Sequence, residues 1–468
     1  MIKAGFKLEK TGEAEFVLKG QSAVPIYFFA TQDLIESMDD DVFFQAVNTA
    51  NLPGLEERVC IMPDAHSGYG APIGTVFAVD AEAGYISPGA IGFDINCGMR
   101  AIITNLTETE IRPYLESIVN KLYEYVPVGV GKKGFLKVSR LQLKNLVEKG
   151  VLYLVKTLGI GWAEDIEKIE ENGSIVGADF SAVSKRAVER GLAQLGTLGS
   201  GNHYLEIQVV EKIHNLEKAK KFGISKKGQV MIMLHCGSRG FGHQICSDYL
   251  REFERKLDVY RIRVADHQLV CLPLSDPLAK DYLSAMSAAA NFAFVNRETI
   301  THRIRQAFEK VLGKKAKDLG MELIYDVAHN IGKIEEHFTK KGKKKLLVHR
   351  KGATRSFPGQ IVIIGGSMET GSYLLLGGED SLYKSFASTA HGSGRTMSRA
   401  KAKRSIRGSD LLKKLKRRGI YIKAASFSGV AEEAGFAYKD INRVVCAVEK
   451  AGLSEPLVYL RPIGNIKG

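Results

Sequence analysis

Short strand-like runs recur along the whole 468-residue chain and alternate irregularly with helical tracts. These runs occupy residues 23–30, 58–62, 74–80, 100–106, 203–210, 229–235, 345–349, 360–364 and 372–376. A regular succession of strand and helix would indicate a doubly wound parallel sheet, but the order here follows no such rhythm. The pattern therefore predicts an α+β fold in which mixed sheets are flanked by helices.

Three tracts carry apolar residues at the three- and four-residue spacing of a helix. They span residues 139–158, 180–195 and about 277–313. No repeat, low-complexity segment or proline-rich linker divides the chain. The residues with the most distinctive chemistry are spread from position 64 to position 467. We therefore expect a single domain over residues 1–468, with one site assembled from distant segments.

Basic residues outnumber acidic ones, with 66 Lys and Arg against 52 Asp and Glu and a formal charge of +14. Two stretches, 340–355 and 399–418, concentrate this charge and contain almost no aromatic residues. Such an excess indicates a polyanionic partner, most simply a nucleic acid bound through its phosphates. Each stretch taken alone is also compatible with a solvated charged surface.

The cysteine content and the N-terminal sequence bear on the cellular compartment. Six cysteines in 468 residues form no short-spaced disulfide framework. The first residues, MIKAGFKLEKTGEAEF, contain no apolar signal region, and no apolar run approaches the length of a membrane span. We expect a cytoplasmic protein with reduced thiols and no membrane partner.

Residues that can bind metal ions stand beside small residues at the ends of strand-like runs. They are Asp64 and His66 in MPDAHSGYG, Asp94 and Cys97 in GFDINCGMR, Asn202 and His203 in GSGNHYLE, His235 in MLHCGSRGFGH and His329 in DVAHN. Carboxylate and imidazole ligands suit Mn²⁺ or Zn²⁺, and a thiolate favours zinc. Taken alone, each histidine is better explained as a hydrogen-bonded core residue, and Cys97 as a small buried apolar one. Their conjunction predicts a metal centre.

The segment TAHGSGRTMSR, residues 389–399, places His391 between small residues and supplies Arg395 and Arg399 close behind it. The small residues leave space around His391, and the nearby arginines supply positive charge. Both features suit a histidine nucleophile that attacks a phosphate group. The alternative is a glycine turn with a surface histidine ahead of a basic helix. The neighbouring basic stretch favours the first interpretation, because an anionic polymer bound there would reach His391.

Eight motifs together resemble the RtcB family of RNA-splicing ligases. They are PDAHSGYG, SPGAIGFDINCGMR, GSGNHYLE, HCGSRGFGH, DVAHN, VHRKGATR, AHGSGR and PIGNIKG, and they follow the family's order over nearly the whole chain. The resemblance implies a single-domain α+β fold, two Mn²⁺ ions and GTP. It implies that the ions are held by Asp94, Cys97, His203, His235 and His329, with Cys97 bridging, and that His391 carries GMP covalently. Nucleotide contacts are implied at Asn202, His203, Tyr204, Leu205, Glu206, His329, Asn330, Gly365, Gly366, Ser367, Met368, Ser372, His391, Gly392, Ser393, Gly394, Tyr438 and Lys467.

The resemblance also implies a reaction. RNA ends with a 3′-phosphate or 2′,3′-cyclic phosphate would be joined to 5′-hydroxyl ends through a GMP-histidine and an RNA-pp-G end, in tRNA splicing and RNA repair. The family implies tRNA halves or other broken RNA as substrate and archease as a candidate activator, and we expect a monomer. Two alternatives stay open: a metal-dependent phosphoesterase acting on RNA ends, and a basic RNA-binding protein with structural histidines.

Two expectations concern details of the nucleotide site. Glu206 would accept hydrogen bonds from guanine N1–H and the 2-amino group, and Lys467 would donate to O6 or N7, which together would favour GTP over ATP. Ser372 and Tyr438 are the next candidates for this role. GGSMET, residues 365–370, departs from the family pattern by placing Glu369 where glycine is common.

Overall fold

The computed structural model describes residues 1–468, which form strands and helices along the whole chain. The strands are β1 (Ile2–Lys3), β2 (Phe6–Lys7), β3 (Glu9–Gly12), β4 (Glu15–Leu18), β5 (Ile26–Phe28), β6 (Leu55–His66), β7 (Ile73–Asp80), β8 (Tyr85–Ile86), β9 (Gly98–Thr107), β10 (Tyr204–Ile213), β11 (Gln229–Cys236), β12 (Leu272–Pro273), β13 (Glu322–Ala328), β14 (Asn330–Thr339), β15 (Gly342–Lys351), β16 (Ala353–Arg355), β17 (Ile361–Gly365), β18 (Ser372–Gly377), β19 (Ser388–Ala390), β20 (Tyr421–Ala424) and β21 (Ser454–Lys467).

The α-helices lie between and around these strands. They are α1 (Gln32–Ser37), α2 (Asp40–Thr49), α3 (Glu108–Ile111), α4 (Leu115–Tyr125), α5 (Arg140–Leu158), α6 (Lys185–Leu192), α7 (Leu216–Lys220), α8 (Arg239–Glu254), α9 (Pro277–Leu312), α10 (Ser381–Lys384), α11 (Arg399–Ser405), α12 (Gly408–Arg417), α13 (Phe427–Glu432) and α14 (Ile441–Lys450).

Two large sheets organise the molecule. The first has the strand order β13-β9-β11-β10-β21-β18-β17, with β20 joining parallel to the end of β21. The second has the order β14-β15-β7-β6-β5-β4-β3, and only its β5–β6 pair is parallel. The pairs β1–β2, β8–β12 and β16–β19 complete the strand pairing. Antiparallel sheets with helices placed around them confirm the predicted α+β class.

Each of the nine strand-like runs seen in the sequence overlaps a strand, although only residues 26–28 of the run 23–30 are extended in this way. The longest predicted helix is also confirmed as α9, which has clear end signals. Asp276 accepts a hydrogen bond from the Leu278 amide at 2.7 Å, and Pro277 occupies the first turn. At the other end Gly313 takes the left-handed conformation that closes a helix, with φ +66°.

The other two predicted helices differ from the sequence pattern. Helix α5 is interrupted at Gly150, whose φ and ψ of 60° and −147° are not helical. A Cβ at this position would lie 2.1 Å from the carbonyl oxygen of Gly173, so the close packing of that turn requires glycine here. The tract 180–195 forms helix only over α6, because Ser184 caps it by accepting a hydrogen bond from the Ala187 amide.

One continuous cluster of buried apolar side chains runs from Leu8 to Ile466 and includes residues of both large sheets and of α9. We propose from this continuity that the chain folds as one domain. No helix combines the length and apolar character needed to cross a membrane.

Candidate active site

Neighbouring strands of the first sheet bring the predicted metal ligands to one edge. Strand β9 begins directly after Cys97, and β10 begins directly after His203. Strand β13 ends directly before His329, and His235 is the penultimate residue of β11. Because the four strands are adjacent in the order β13-β9-β11-β10, segments distant in sequence meet at this edge.

The side chains of these segments converge on the Cys97 sulfur. Its Sγ lies 3.3 Å from His203 Nε2 and 3.2 Å from His235 Nε2. His235 Nε2 is in turn 3.2 Å from His329 Nε2, and Asp94 Oδ2 is 2.9 Å from His203 Nε2. The atoms form two sets of three, each set within 4.8 Å: Cys97, His235 and His329, and Asp94, Cys97 and His203. Cys97 belongs to both sets.

The protonation of two of the three imidazoles suits metal binding. Burial would lower the pKa of the third, His203, but the neighbouring Cys97, Cys236 and Asp94 raise it. His235 Nδ1 lies 3.1 Å from the carbonyl oxygen of Asn202, which can only accept, so this nitrogen carries the proton and Nε2 offers a lone pair. Burial lowers the pKa of both His235 and His329 well below its usual value. Both rings are therefore neutral, which is the form that binds cations. The buried Nδ1 of His329 has no hydrogen-bond partner in the protein.

The two remaining ligand types also fit a cation. Burial would raise the pKa of the Asp94 carboxyl, but the contact with His203 outweighs it and the net shift is downward. Burial raises the pKa of the Cys97 thiol to about 11, so its thiolate needs a positive charge beside it. A carboxylate, a thiol and three imidazoles that face one point are the ligand chemistry of Mn²⁺ or Zn²⁺.

His391 stands beside this cluster and is held by Asp64. Its ring packs against the ring of His329, with centroids 4.7 Å apart. Its Nδ1 is 2.6 Å from Oδ2 of Asp64, which also accepts hydrogen bonds from the amides of His391 and Gly392 at 3.2 and 3.1 Å. Burial would raise the pKa of Asp64, but His391 and the Lys439 ammonium hold it below its usual range. The short contact with an ionised carboxylate favours the tautomer that carries its proton on Nδ1, so Nε2 of His391 bears the free lone pair.

The glycines around His391 permit close backbone packing. A Cβ on Gly394, which has φ +68°, would lie 1.9 Å from the carbonyl oxygen of Asp64. A Cβ on Gly392 would lie 3.1 Å from the carbonyl oxygen of Gly365. Gly394 is therefore required by its contact with the strand that carries Asp64.

A cavity of about 1000 Å³ connects the ligand cluster, His391 and most of the predicted nucleotide positions. The predicted residues that line it are Asp94, Cys97, Asn202, Tyr204, His235, His329, Asn330, Gly365, Gly366, Ser367, Met368, His391, Gly392, Ser393, Gly394, Tyr438 and Lys467. His203, Leu205, Glu206 and Ser372 lie behind this surface. Leu205 points to the opposite face of β10 from Tyr204, as expected for successive residues of a strand.

The two residues expected to read guanine have different partners in the protein. Glu206 is buried and accepts hydrogen bonds from the side-chain amides of Gln208 and Asn465, each at 2.5 Å. Burial raises the pKa of Glu206 to about 7. Lys467 lies on the cavity wall, where its Nζ is 3.5 Å from a carboxylate oxygen of Glu433.

Glu433 is a cavity residue that the sequence motifs do not predict. It is buried beneath the basic side chains of Arg395 and Arg399, each at 3.3 Å, and accepts a hydrogen bond from the Tyr438 hydroxyl. Burial would raise its pKa, but Lys467 and the other partners lower it to about 2, so the group stays ionised. No local motif marks Glu433, because its partners come from three separate segments.

Glu369, the departure from the family pattern, joins the loop 365–370 to the basic helix α12. Its carboxylate accepts a hydrogen bond from the Gly435 amide at 2.8 Å and lies 3.3 Å from Lys414 Nζ and 3.1 Å from Arg418. Glu369 therefore neutralises part of the basic surface and links α12 to the loop 365–370.

The two basic stretches differ in exposure. In the first, Arg350 and Lys351 are buried, and Arg355 pairs with Glu170 and Glu171, so this stretch is only partly a surface. Strands β15 and β16 carry these later side chains towards the interior, whereas Lys340, Lys341, Lys343 and Lys345 are exposed. In the second stretch several exposed side chains on α12 make no ion pair; they are Lys413, Lys416 and Arg417.

Fold and site together define an α+β protein with a candidate metal centre beside a carboxylate-held histidine. The family model described as tRNA-splicing ligase RtcB matches residues 45–468. The chain is 48% identical to the tRNA-splicing ligase RtcB of Thermococcus kodakarensis, 46% to that of Archaeoglobus fulgidus and 47% to that of Pyrobaculum aerophilum, in each case over 95% of both chains. The chain belongs to the RtcB family, as the sequence motifs predicted.

Proposed function

We propose that this protein is an RNA ligase that joins RNA 3′-phosphate or 2′,3′-cyclic phosphate ends to 5′-hydroxyl ends, using GTP, in tRNA splicing and RNA repair. The observation that carries the proposal is the position of His391, whose ring packs on His329 at the ligand cluster while Asp64 holds its Nδ1. The names of the relatives support the RNA-ligase class.

Two Mn²⁺ ions fit the two ligand sets, with Asp94, Cys97 and His203 holding one and Cys97, His235 and His329 the other. Bound there, they would supply Lewis-acid neutralisation of phosphate charge. The protein's own part is to present the neutral imidazoles of His235 and His329 and to keep the cluster buried.

His391 is the proposed nucleophile. Its Nε2 attacks the α-phosphorus of GTP, the nitrogen–phosphorus bond forms, and the bond to the bridging oxygen of pyrophosphate breaks. The ring becomes cationic, and the Asp64 carboxylate stabilises that charge. A 2′,3′-cyclic end is first opened by water, which breaks the bond to the 2′-oxygen and leaves a 3′-phosphate. An oxygen of the RNA 3′-phosphate then takes the GMP group and restores the neutral ring. Attack by a 5′-hydroxyl on the activated RNA end releases GMP.

The nucleotide base would lie near Tyr438, Met368 and Lys467, at the end of the cavity where Glu433 orients the lysine. Guanine recognition by Glu206 requires its carboxylate to exchange a hydrogen bond from Gln208 or Asn465 for one from the base. Ser372 contacts the same Gln208 amide at 3.1 Å and would move with it.

Incubation with α-labelled GTP and Mn²⁺, followed by denaturing electrophoresis, tests the proposal. We expect a labelled protein band that survives base and is lost in acid, as a phosphoramidate would be. His391→Ala should abolish the band, whereas His267→Ala, which removes an exposed histidine paired with Glu254, should retain it.

An acid-stable adduct, or none at all with metal bound, would overturn the histidine assignment. A metal-dependent phosphoesterase would release phosphate from RNA ends without forming the band. Slow RNA joining on its own is not decisive, because ligases of this family can depend on archease.

A further inference from the structure

One part of the cavity wall is unused by the chemistry described above. It is formed by the loop that joins β6 to β7, by the face of α2 that carries Asp41 and Gln45, and by Phe93. Tyr69 stands on this loop with 71% of its surface exposed. An aromatic side chain this exposed at the mouth of a cavity is suited to contact a ligand.

The backbone beneath Tyr69 is fixed. Gln45 and Gly68 form a reciprocal pair, in which the Gln45 side-chain amide donates to the Gly68 carbonyl at 2.7 Å and the Gly68 amide donates back at 3.1 Å. The buried Lys351 ammonium donates to the carbonyl oxygen of Tyr69. The ring therefore projects from an ordered loop, so a ligand that contacts it meets a surface that is already formed.

Three aromatic rings contact one another in a row, and the middle ring directly precedes a predicted metal ligand in the sequence. Tyr69 meets Phe93 edge to face, with centroids 5.9 Å apart and an interplanar angle of 83°. Phe93 lies 5.0 Å from the ring of His243. Phe93 also directly precedes Asp94, one of the predicted metal ligands. A ligand that stacks a planar group on Tyr69 would therefore lie beside the segment that carries Asp94, and the rest of the ligand would extend into the reaction centre.

The charges around Tyr69 favour a base over a phosphate. The exposed carboxylates of Asp39 and Asp41 line the same cavity and would repel phosphate groups. The cavity wall carries Arg395, Arg399 and Lys401, which lie just before and at the start of the second basic stretch, and Lys467. The Lys351 ammonium beneath Tyr69 is already engaged by the backbone carbonyls of Tyr69 and Gly89. The second basic stretch contains no aromatic side chain, so base stacking has to occur elsewhere.

We propose that Tyr69 is the stacking platform for the nucleobase at an RNA end, supported edge-on by Phe93. The assignment rests on the proposed function, because it takes RNA ends as the substrate. It adds a site that holds a terminal base of either the 3′-phosphate strand or the 5′-hydroxyl strand while the sugar–phosphate chain follows the basic side.

Single-turnover joining of RNA pairs with intact or abasic terminal nucleotides tests the platform. Tyr69→Ala should slow the joining of intact ends by about tenfold or more, the usual effect of losing one stacked base. An abasic nucleotide in the stacked strand should slow the wild type by a similar factor and should not slow Tyr69→Ala further. Comparing abasic ends in each strand identifies which strand supplies the base.

Tyr383→Ala is the matched control, because Tyr383 is 62% exposed and lies beside Phe338 at 6.2 Å, on a different surface. It should join RNA at the wild-type rate. Tyr69→Phe should restore joining, since a phenyl ring stacks equally well. Tyr69→Trp adds a fluorophore to a chain with one tryptophan, and its emission should be quenched by RNA with an intact end but not by the abasic RNA.

The platform is overturned if Tyr69→Ala joins RNA at the wild-type rate, or if it remains as sensitive to abasic ends as the wild type. These outcomes are distinct from failure of the proposed function, which would appear as a missing GMP adduct in the wild type. Adduct formation by Tyr69→Ala, which involves no RNA, shows in the same samples that the variant is folded and binds GTP.

Discussion

His391 depends on one buried carboxylate for both its ring and its backbone position. Asp64 contacts the ring nitrogen and two successive amides, and its surroundings keep it ionised although it is fully buried. A charge that accepts several hydrogen bonds inside a protein fixes the geometry around it, because moving away would leave it unpaired. The same carboxylate sets the tautomer of the imidazole.

Asp64→Asn tests this role. The amide is nearly the same size, but it can donate a hydrogen bond to Nδ1 and would favour the tautomer whose Nε2 carries the proton. We expect GMP-adduct formation to slow by up to about 10⁴-fold, the loss seen when a catalytic histidine is held in the wrong tautomer. Metal content should not change. An unaltered rate of adduct formation would show that Asp64 only supports the fold.

Some residues of the candidate site can be predicted from the sequence, whereas others become apparent only in the folded structure. His391, Cys97 and the histidines after strand-like runs are predictable, because each combines a reactive side chain with a local motif. The sequence marks Asp64 as a possible ligand, but its contact with His391 joins segments 327 residues apart. Glu433 escapes prediction for the same reason. Partners that meet only in the folded protein leave no local pattern.

At the scale of elements, helix α9 connects the segments that carry the ligands. Arg297 of this helix is fully buried and donates to the backbone carbonyls of Asn96 and Cys236, both at 2.8 Å. It also forms a two-point ion pair with Asp326 on β13, the strand that leads to His329. One guanidinium thus contacts all three segments beside the predicted ligands.

Arg297→Lys should therefore weaken Mn²⁺ binding, because an ammonium cannot reproduce these planar contacts. Removing such an outer interaction usually lowers metal affinity by about 10–100-fold. Arg305→Lys is the matched control: Arg305 lies on the same helix, is also buried and also pairs at two points, with Asp165. Titration calorimetry measures the Mn²⁺ affinity of both variants, and thermal melting of the metal-free proteins measures their stability. Together they separate a loss of metal binding from a loss of stability. Equal metal affinities in both variants would contradict the role of Arg297.

Helix α12 presents two kinds of basic residue. Lys413 and Arg417 are exposed and unpaired, whereas Lys414 and Arg418 are paired with Glu369. Replacing either pair by glutamine removes the same formal charge. Only the first pair has charge available for phosphates, so only that variant should lower the salt dependence of RNA binding, by about 0.7 in slope for each phosphate that is no longer neutralised. Equal slopes in the two variants would show that pairing with Glu369 does not govern RNA binding.

The strands that the sequence pattern does not predict also have a physical explanation. Strand β21 is central to the first sheet, yet its sequence contains Pro456, Pro462 and Gly464, which normally interrupt strands. Both prolines lie at register shifts, opposite Leu375 of β18 and Gln208 of β10. At such irregularities a missing amide costs little. The strand is therefore possible only in the context of its neighbours.

At the scale of the whole molecule, the site draws on both sheets and on segments from Asp64 to Lys467. Asp64 belongs to β6 of the second sheet, and Lys467 ends β21 of the first. Side chains of both sheets share the main buried cluster. Separating the two sheets would expose this core and disassemble the cavity at once, so folding and site formation should be coupled.

Thermal unfolding with and without Mn²⁺ tests this coupling. A ligand at 100 times its dissociation constant stabilises the folded state by about 2.7 kcal/mol. If the chain is one cooperative unit, Mn²⁺ should move the whole melting transition to higher temperature by a few degrees. The shift is modest because a stabilisation of 1 kcal/mol raises the melting temperature by roughly 2–4 °C in smaller domains and by less in a larger unit.

Cys97→Ala should melt without a metal-dependent shift, because it removes the sulfur common to both ligand sets. Cys271→Ala, at a buried cysteine outside the cluster, should keep the shift even if its melting temperature is lower. Two transitions of which Mn²⁺ moves only one would show that the sheets unfold separately and that the site belongs to one of them.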